Sequence, residues 1–368
     1  MSAPTSRISI FIPALFGGGA ERTMLNIAEG IAARGYAVDL VLVRSEGPFL
    51  AEVPPSVRIV DLHASRDLLS LPALVQYLRR ERPEALLSGL HTNIIAVWAR
   101  RLARVPVRVV VSERNTLSSK VQHYSGDLRM RLMPFLIRRF YPWADHIVAV
   151  SKGVAGELTR VARIPSEQIQ VIYNPVVTPE LQVKVKAVLE HPWFEPGAPP
   201  VILSAGRLTA QKDFSTLIRA FAQVREIHNV RLLILGEGEE RTALETLVRQ
   251  LKLTKDVSLP GFVLNPYPFM ARAFLFVLSS RWEGLPGVLI EAMFCGASLI
   301  STDCPGGARE ILRDGEYGRL VPVGDVAALS RTIEDALVGK ILPPPQESWS
   351  PFEMDTVVDQ YINILLGV

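Results

Sequence analysis

The stretch Ile8–Val43, ISIFIPALFGGGAERTMLNIAEGIAARGYAVDLVLV, decides how the chain folds. Ile8–Ile12 is a short apolar run that Pro13 ends, which reads as a strand followed by a turn. Met24, Leu25, Ile27, Ala28, Ile31 and Ala32 then recur at helical spacing, and Gly35 stops that run. Ala37–Val43 returns to a mostly apolar strand pattern. A strand, a glycine turn, a helix and a second strand in this order form the repeating unit of a parallel sheet covered by helices.

The same alternation continues on both sides of one break. Ala85–Ser88, Val107–Ser112 and His146–Val150 read as further strands with helical stretches between them. Asn174–Glu180 then holds two prolines, and His191–Pro200 (HPWFEPGAPP) holds four more and a glycine, the composition of a linker or loop. The pattern restarts with a strand at Val201–Ala205, a helix at Phe214–Val224, a strand at Val230–Leu235 and a helix at Arg241–Leu251. Phe274–Leu278, Ser298–Ser301 and Arg319–Val321 extend the series. The fold class is α/β, with two Rossmann-like lobes at 1–175 and 176–345. A final amphipathic helix, Met354–Leu366, lies in 346–368 beyond Pro343–Pro345 and is expected to pack back toward the first lobe.

Composition narrows the function. Of 368 residues, 48% are hydrophobic and 21% charged, a globular profile with ample apolar material for a core. The net charge of +3 is too small to argue for nucleic acid. Cys295 and Cys304 have no zinc-ligand spacing and read as free buried thiols in a reducing cytosol. No apolar run reaches 18 residues, and Met1–Arg7 lacks the pattern of a signal peptide. The expected location is the cytoplasm, or the surface of its membrane.

Three clusters carry chemistry. Gly17-Gly18-Gly19 follows the first strand and opens the first helix, where backbone N–H groups and the helix dipole suit a phosphate. Ser204–Phe214 (SAGRLTAQKDF) follows the first strand of the second lobe, at the sheet edge where open α/β folds bind ligands, and supplies Arg207 and Lys212. Cations fixed there stabilise the charge that develops on a departing diphosphate. Arg281–Gly296 (RWEGLPGVLIEAMFCG) carries Glu283 and Glu291, separated by seven residues. Between them, Gly284-Leu285-Pro286-Gly287 is a turn able to present amides to a phosphate, and Glu291 is expected about two turns into the next helix, able to accept from a diol. Leu285, Val288, Leu289, Ala292 and Met293 are expected to form the apolar face of that helix, and Gly296 to end it.

Together these stretches resemble glycosyltransferase family 4, the retaining family with the GT-B fold. The likeness is strongest in the second lobe, through Arg207, Lys212, Gly236–Gly238, Gly261-Phe262, the two glutamates and Ser301–Ile311 (STDCPGGAREI). In the first lobe it rests on the glycine loop, on SGLHT around His91, and on Ser112–Asn115 (SERN). The resemblance implies that Arg207 and Lys212 grip the donor diphosphate and that Glu291 holds the ribose. It further implies that Glu283 and His91 meet the sugar, that Gly236, Gly261 and Phe262 line the nucleotide, and that Gly17–Gly19 face the diphosphate from the opposite lobe. It implies a nucleotide-sugar donor, a UDP-sugar above a GDP-sugar, and sugar transfer by front-face substitution. No cofactor is expected: no two aspartates stand at i, i+2 to hold a metal, and the cations replace it.

Asp127–Trp143 (DLRMRLMPFLIRRFYPW) mixes Arg129, Arg131, Arg138 and Arg139 with apolar and aromatic residues, a composition that suits an anionic membrane surface. These arginines, with Glu113 and Arg114, are expected to serve the acceptor or the membrane, and the acceptor to be a glycan or a polyprenyl-diphosphate-linked sugar. The rival readings are a nucleotide-sugar epimerase, a sugar phosphorylase, a non-catalytic nucleotide-sugar binder and, with an incomplete glycine fingerprint, a nicotinamide-dependent dehydrogenase.

Overall fold

The computed structural model describes the backbone of residues 6–118 and 128–367, and the side chains of 6–118 and 131–367. Asp127 lies outside the described residues, as does the side chain of Arg129. The chain divides into two compact units, one of residues 1–176 with 352–368 and one of 177–351.

The first unit is built on seven strands: β1 (Arg7–Ile12), β2 (Ala37–Leu42), β3 (Val57–Asp61), β4 (Ala85–Gly89), β5 (Arg108–Glu113), β6 (His146–Ala149) and β7 (Ile169–Val171). All pair in parallel, in the order β3-β2-β1-β4-β5-β6-β7. The described helices between them are α1 (Gly19–Ala33), α2 (Leu71–Glu81), α3 (Asn93–Ala103), α4 (Leu128–Phe140) and α5 (Lys152–Ala162). Parallel strands covered on both faces must be apolar throughout, and β1, β2, β4 and β5 are buried along nearly their whole length.

The second unit opens with a short helix, α6 (Pro179–Lys184), and repeats the plan with β8 (Val201–Ala205), β9 (Arg231–Leu235), β10 (Val257–Gly261), β11 (Leu275–Leu278), β12 (Ser298–Thr302) and β13 (Arg319–Val321). Their parallel order is β10-β9-β8-β11-β12-β13. The helices here are α7 (Phe214–Ile227), α8 (Arg241–Gln250), α9 (Tyr267–Arg272), α10 (Gly287–Phe294), α11 (Ala308–Ile311) and α12 (Val326–Leu337). The final helix, α13 (Met354–Leu366), belongs to the first unit, where Val357, Val358 and Tyr361 join the core formed by Ile8, Ile10, Ile27 and Ile31.

Both sheets reverse their strand order beside the first strand, between β1 and β4 and between β8 and β11. Loops that leave the carboxyl ends of neighbouring strands diverge at such a point and open a ligand crevice. Among the described residues no helix is long and apolar enough to cross a membrane.

Candidate functional site

In the second unit the expected residues gather at the β8/β11 switch point. Arg207 and Lys212 leave β8, and Glu283 leaves β11. Lys212 Nζ donates to Glu283 Oε1 at 2.6 Å, although the two lie 71 residues apart in sequence. Ser280 Oγ donates to the same oxygen at 2.7 Å. Glu283 is only 6% exposed, and its Oε2 accepts from no described protein donor. A buried carboxylate with one oxygen fixed by the protein can accept from a ligand hydroxyl with the other.

Backbone contacts lock the two loops together. The Arg281 N–H donates to Gln211 O, Gln211 Nε2 to Trp282 O, and Ser279 Oγ to Lys212 O. Below them Asp213 accepts from Arg281 Nε at 3.0 Å and from the hydroxyls of Ser215 and Thr216. Burial raises the pKa of Asp213, but these donors and the Arg281 charge outweigh it, and the carboxyl stays below its usual range. Asp213 thereby holds the amino end of α7, and Lys212 is placed one residue before it.

Close backbone approach completes the site. At Gly236, φ is +143° and an added Cβ would lie 2.0 Å from Gly206 O. A Cβ at Gly306 would lie 2.2 Å from Glu283 O, because the Glu283 N–H donates to Pro305 O and the Gly307 N–H to Gly284 O. Glycine is the residue that fits both positions. The Cys304–Gly307 loop is thus zipped onto the Glu283 loop. Cys304 is buried and Cys295 half-buried; both thiols are free, and burial pushes each up to about 12.

Several expectations need adjustment. Glu291 is the fifth residue of α10, just over one turn in, and not two. The buried face of α10 is Leu289, Ile290, Ala292 and Met293, while Val288 is half-buried. Pro286 precedes α10 without a side-chain cap; the Leu289 N–H turns back to Pro286 O, which leaves the Gly287 and Val288 amides their donor capacity. Arg207 is exposed and makes no side-chain hydrogen bond or ion pair with a described residue. Gly261 ends β10 and Phe262 is 69% exposed. Arg241 was not singled out in the sequence. It ties Glu237 to Gly236 O and Leu259 O, bracing the Gly236 and Gly261 turns.

In the first unit, Gly17–Gly19 leave β1 as expected, but the amides do not stand alone. A Cβ on Gly18 would come 2.3 Å from Glu21 Oε2, so a carboxylate lies directly against the helix start. Such a charge opposes a phosphate at that point. His91 is exposed in the turn after β4, next to Leu90 at φ +65°. Glu113 and Arg114 are buried beneath the surface, not part of an exposed basic face. Glu113 accepts from Tyr141 Oη at 2.8 Å, and burial holds that phenol well above its ordinary pKa. The helix α4 runs through Pro134 without ending there. Arg131, Leu132, Phe135, Arg138 and Arg139 are exposed along one stripe of it. Arg139 and Arg101 stack on Trp143, at 4.8 and 3.8 Å from the ring centre.

Among the described residues no group of three or more His, Cys, Asp or Glu side chains is arranged to hold a metal ion.

Comparison with known proteins identifies the family. Residues 17–179 match the family described as Glycosyltransferase Family 4, and residues 188–350 match Glycosyl transferases group 1. A Campylobacter jejuni N-acetylgalactosamine-N,N'-diacetylbacillosaminyl-diphospho-undecaprenol 4-alpha-N-acetylgalactosaminyltransferase is 30% identical over 343 residues, covering 90% of each chain. A Rhizobium meliloti lipopolysaccharide core biosynthesis glycosyltransferase is 27% identical, covering 95% of this chain and 96% of its own. Among solved structures, Anabaena HepE in complex with UDP and glucose superposes with a TM-score of 0.75 at 20% identity, covering 99% of this chain and all of that one, a likeness of fold. Two parallel Rossmann-like sheets of this kind are the GT-B architecture, and the chain belongs to glycosyltransferase family 4.

Proposed function

We propose that this glycosyltransferase transfers a hexose or N-acetylhexosamine, with retention at the anomeric carbon and without a metal ion, from a UDP-sugar to a glycan or polyprenyl-diphosphate-linked acceptor. The observation that carries the reading is the Lys212–Glu283 contact at the β8/β11 switch point. Lys212, the free Arg207 and the uncapped amides at the start of α10 present positive charge where a leaving diphosphate would collect negative charge. Glu283 Oε2 accepts from a sugar hydroxyl, Glu291 from the ribose, and Gly261-Phe262 border the base. As the glycosidic bond breaks, the acceptor hydroxyl attacks from the same face, and the departing phosphate takes its proton.

The relatives support the substrate class. The Campylobacter relative is named for a diphospho-undecaprenol-linked acceptor, and the HepE structure holds UDP and glucose. By the same reading the first unit takes the acceptor, with His91 on its ligand-binding edge. The exposed stripe of α4, with Phe135 64% exposed between Arg131 and Arg138, rests against anionic headgroups.

A thermal-shift series with UDP, GDP, ADP and their sugars tests the donor. Stabilisation by UDP and UDP-sugars in excess EDTA is the expected result, and the product linkage retains the donor's anomeric configuration by NMR. A strict requirement for Mg²⁺ or Mn²⁺, or an inverted product, contradicts the proposal.

A further inference from the structure

Arg114 follows β5 at the ligand-binding edge of the first sheet and is only 5% exposed. A guanidinium stays protonated in any protein environment, so this is a buried positive charge. Its partners are all neutral: NH1 donates to Ser112 Oγ at 3.0 Å and to Met24 Sδ at 3.5 Å, and NH2 to Asn174 Oδ1 at 2.6 Å. Nε is buried and has no acceptor. Among the described residues no carboxylate oxygen lies within 4.0 Å of it. The adjacent Glu113 is engaged with Tyr141.

Burying a charge is costly unless an opposite charge compensates it. Three neutral acceptors fix the orientation of the Arg114 fork without cancelling its charge. The surroundings favour this position for the charge. The Arg114 stem packs under the turn that carries His91: a Cβ on Gly89 would lie 3.6 Å from Arg114 Cδ and 3.2 Å from Met24 Cε. The glycine turn that could have served an anion in this unit is faced by Glu21 instead.

We propose that Arg114 is an anion-recognition residue: its oriented, uncompensated guanidinium draws the diphosphate of a substrate to the carboxyl edge of β4 and β5. The inference rests on the transferase reading above. The anion is a diphosphate, carried either by a lipid-linked acceptor or by the donor, and the two sources separate by experiment.

The test uses the full chain, a UDP-sugar, a polyprenyl-diphosphate-linked sugar and an alkyl glycoside of the same sugar without phosphate. Asn174→Asp places a carboxylate against Arg114 NH2 and cancels the charge while the fork stays in place. Arg114→Met removes the charge, and Arg114→Lys keeps it. Asn174→Asp melts at or above the wild-type temperature yet raises KM for the diphosphate acceptor about tenfold. The alkyl glycoside is turned over equally by both proteins. Arg114→Met shows the same KM defect, and Arg114→Lys restores most of it. A rise in the Kd for UDP-sugar in place of acceptor KM assigns the diphosphate to the donor. Constants within about twofold of wild type in Asn174→Asp, or equal losses on the phosphate-free glycoside, overturn the anion role. Wild-type turnover keeps the two readings apart, because its absence with every acceptor refutes the transferase reading itself.

Discussion

Lys212→Met separates the stability of the second unit from its chemistry. The substitution keeps an unbranched side chain, one atom shorter, and removes its charge. Glu283, 6% exposed, then keeps Ser280 as its one side-chain donor. Exposed ion pairs contribute about 0–1 kcal/mol, whereas stranding one partner of a fully buried pair costs about 3–5 kcal/mol. The two side chains here are 16% and 8% exposed, which places the cost near 2 kcal/mol. For a unit of this size that lowers the melting temperature by about 4–8 °C. The loss of turnover is larger, about 10²–10³-fold, because the charge acts on the developing diphosphate. Adding Glu283→Gln removes the stranded carboxylate, so the double variant melts within about 2 °C of wild type but gains no turnover over Lys212→Met. Melting curves and initial rates with a UDP-sugar supply both readings. An unchanged melting temperature in Lys212→Met, or turnover within about threefold of wild type, refutes the reasoning.

Asp39→Asn probes an ion network in the first unit. Asp39 accepts from Arg58, Arg7 and Tyr77. Burial raises its pKa, but hydrogen bonds from Arg58 and Tyr77 and the charges of Arg58 and Arg7 lower it further, for a net depression. A depressed folded pKa adds stability that is present above the unfolded value near 3.8 and is lost as pH falls through the folded value. The stability gap between wild type and Asp39→Asn, measured in urea, is therefore about 2–3 kcal/mol at pH 7 and closes only below about pH 4. In a thiol titration at pH 8, Cys295 and Cys304 stay unreactive in the native protein and both react in denaturant; a rapidly reacting native thiol contradicts the upward shift of their pKa values. Gly236→Ala, with its Cβ set against Gly206 O, costs at least about 2 kcal/mol and weakens UDP binding. A variant with unchanged melting and binding shows that the loop does not lock as described.

The parts of this fold that follow from local pattern are legible in the sequence. The central strands β1, β4, β8 and β11 are mostly apolar, and α1 and α7 carry clear helical periodicity. The strands that escaped notice are β3, β7 and β10, all at sheet edges. Their side chains are largely half-buried or exposed, and Pro260 sits within β10, so neither an apolar run nor a clean alternation marks them. The site residues were legible as types at turns, because Arg207, Lys212 and Glu283 flank glycine-rich segments after strands. Their pairing was not. Lys212 meets Glu283 across 71 residues, and only the strand order brings β8 beside β11. The placement of Glu21 against Gly18 and the burial of Arg114 depend on packing between elements, which a residue pattern does not carry.

The most direct test of the account is calorimetric titration of UDP into wild type and Arg207→Met, both in excess EDTA. Wild type is expected to bind UDP tightly without a divalent ion, and losing the guanidinium to raise the Kd at least about tenfold. Binding that appears only when Mg²⁺ or Mn²⁺ is restored, or equal affinity in the two proteins, would contradict it.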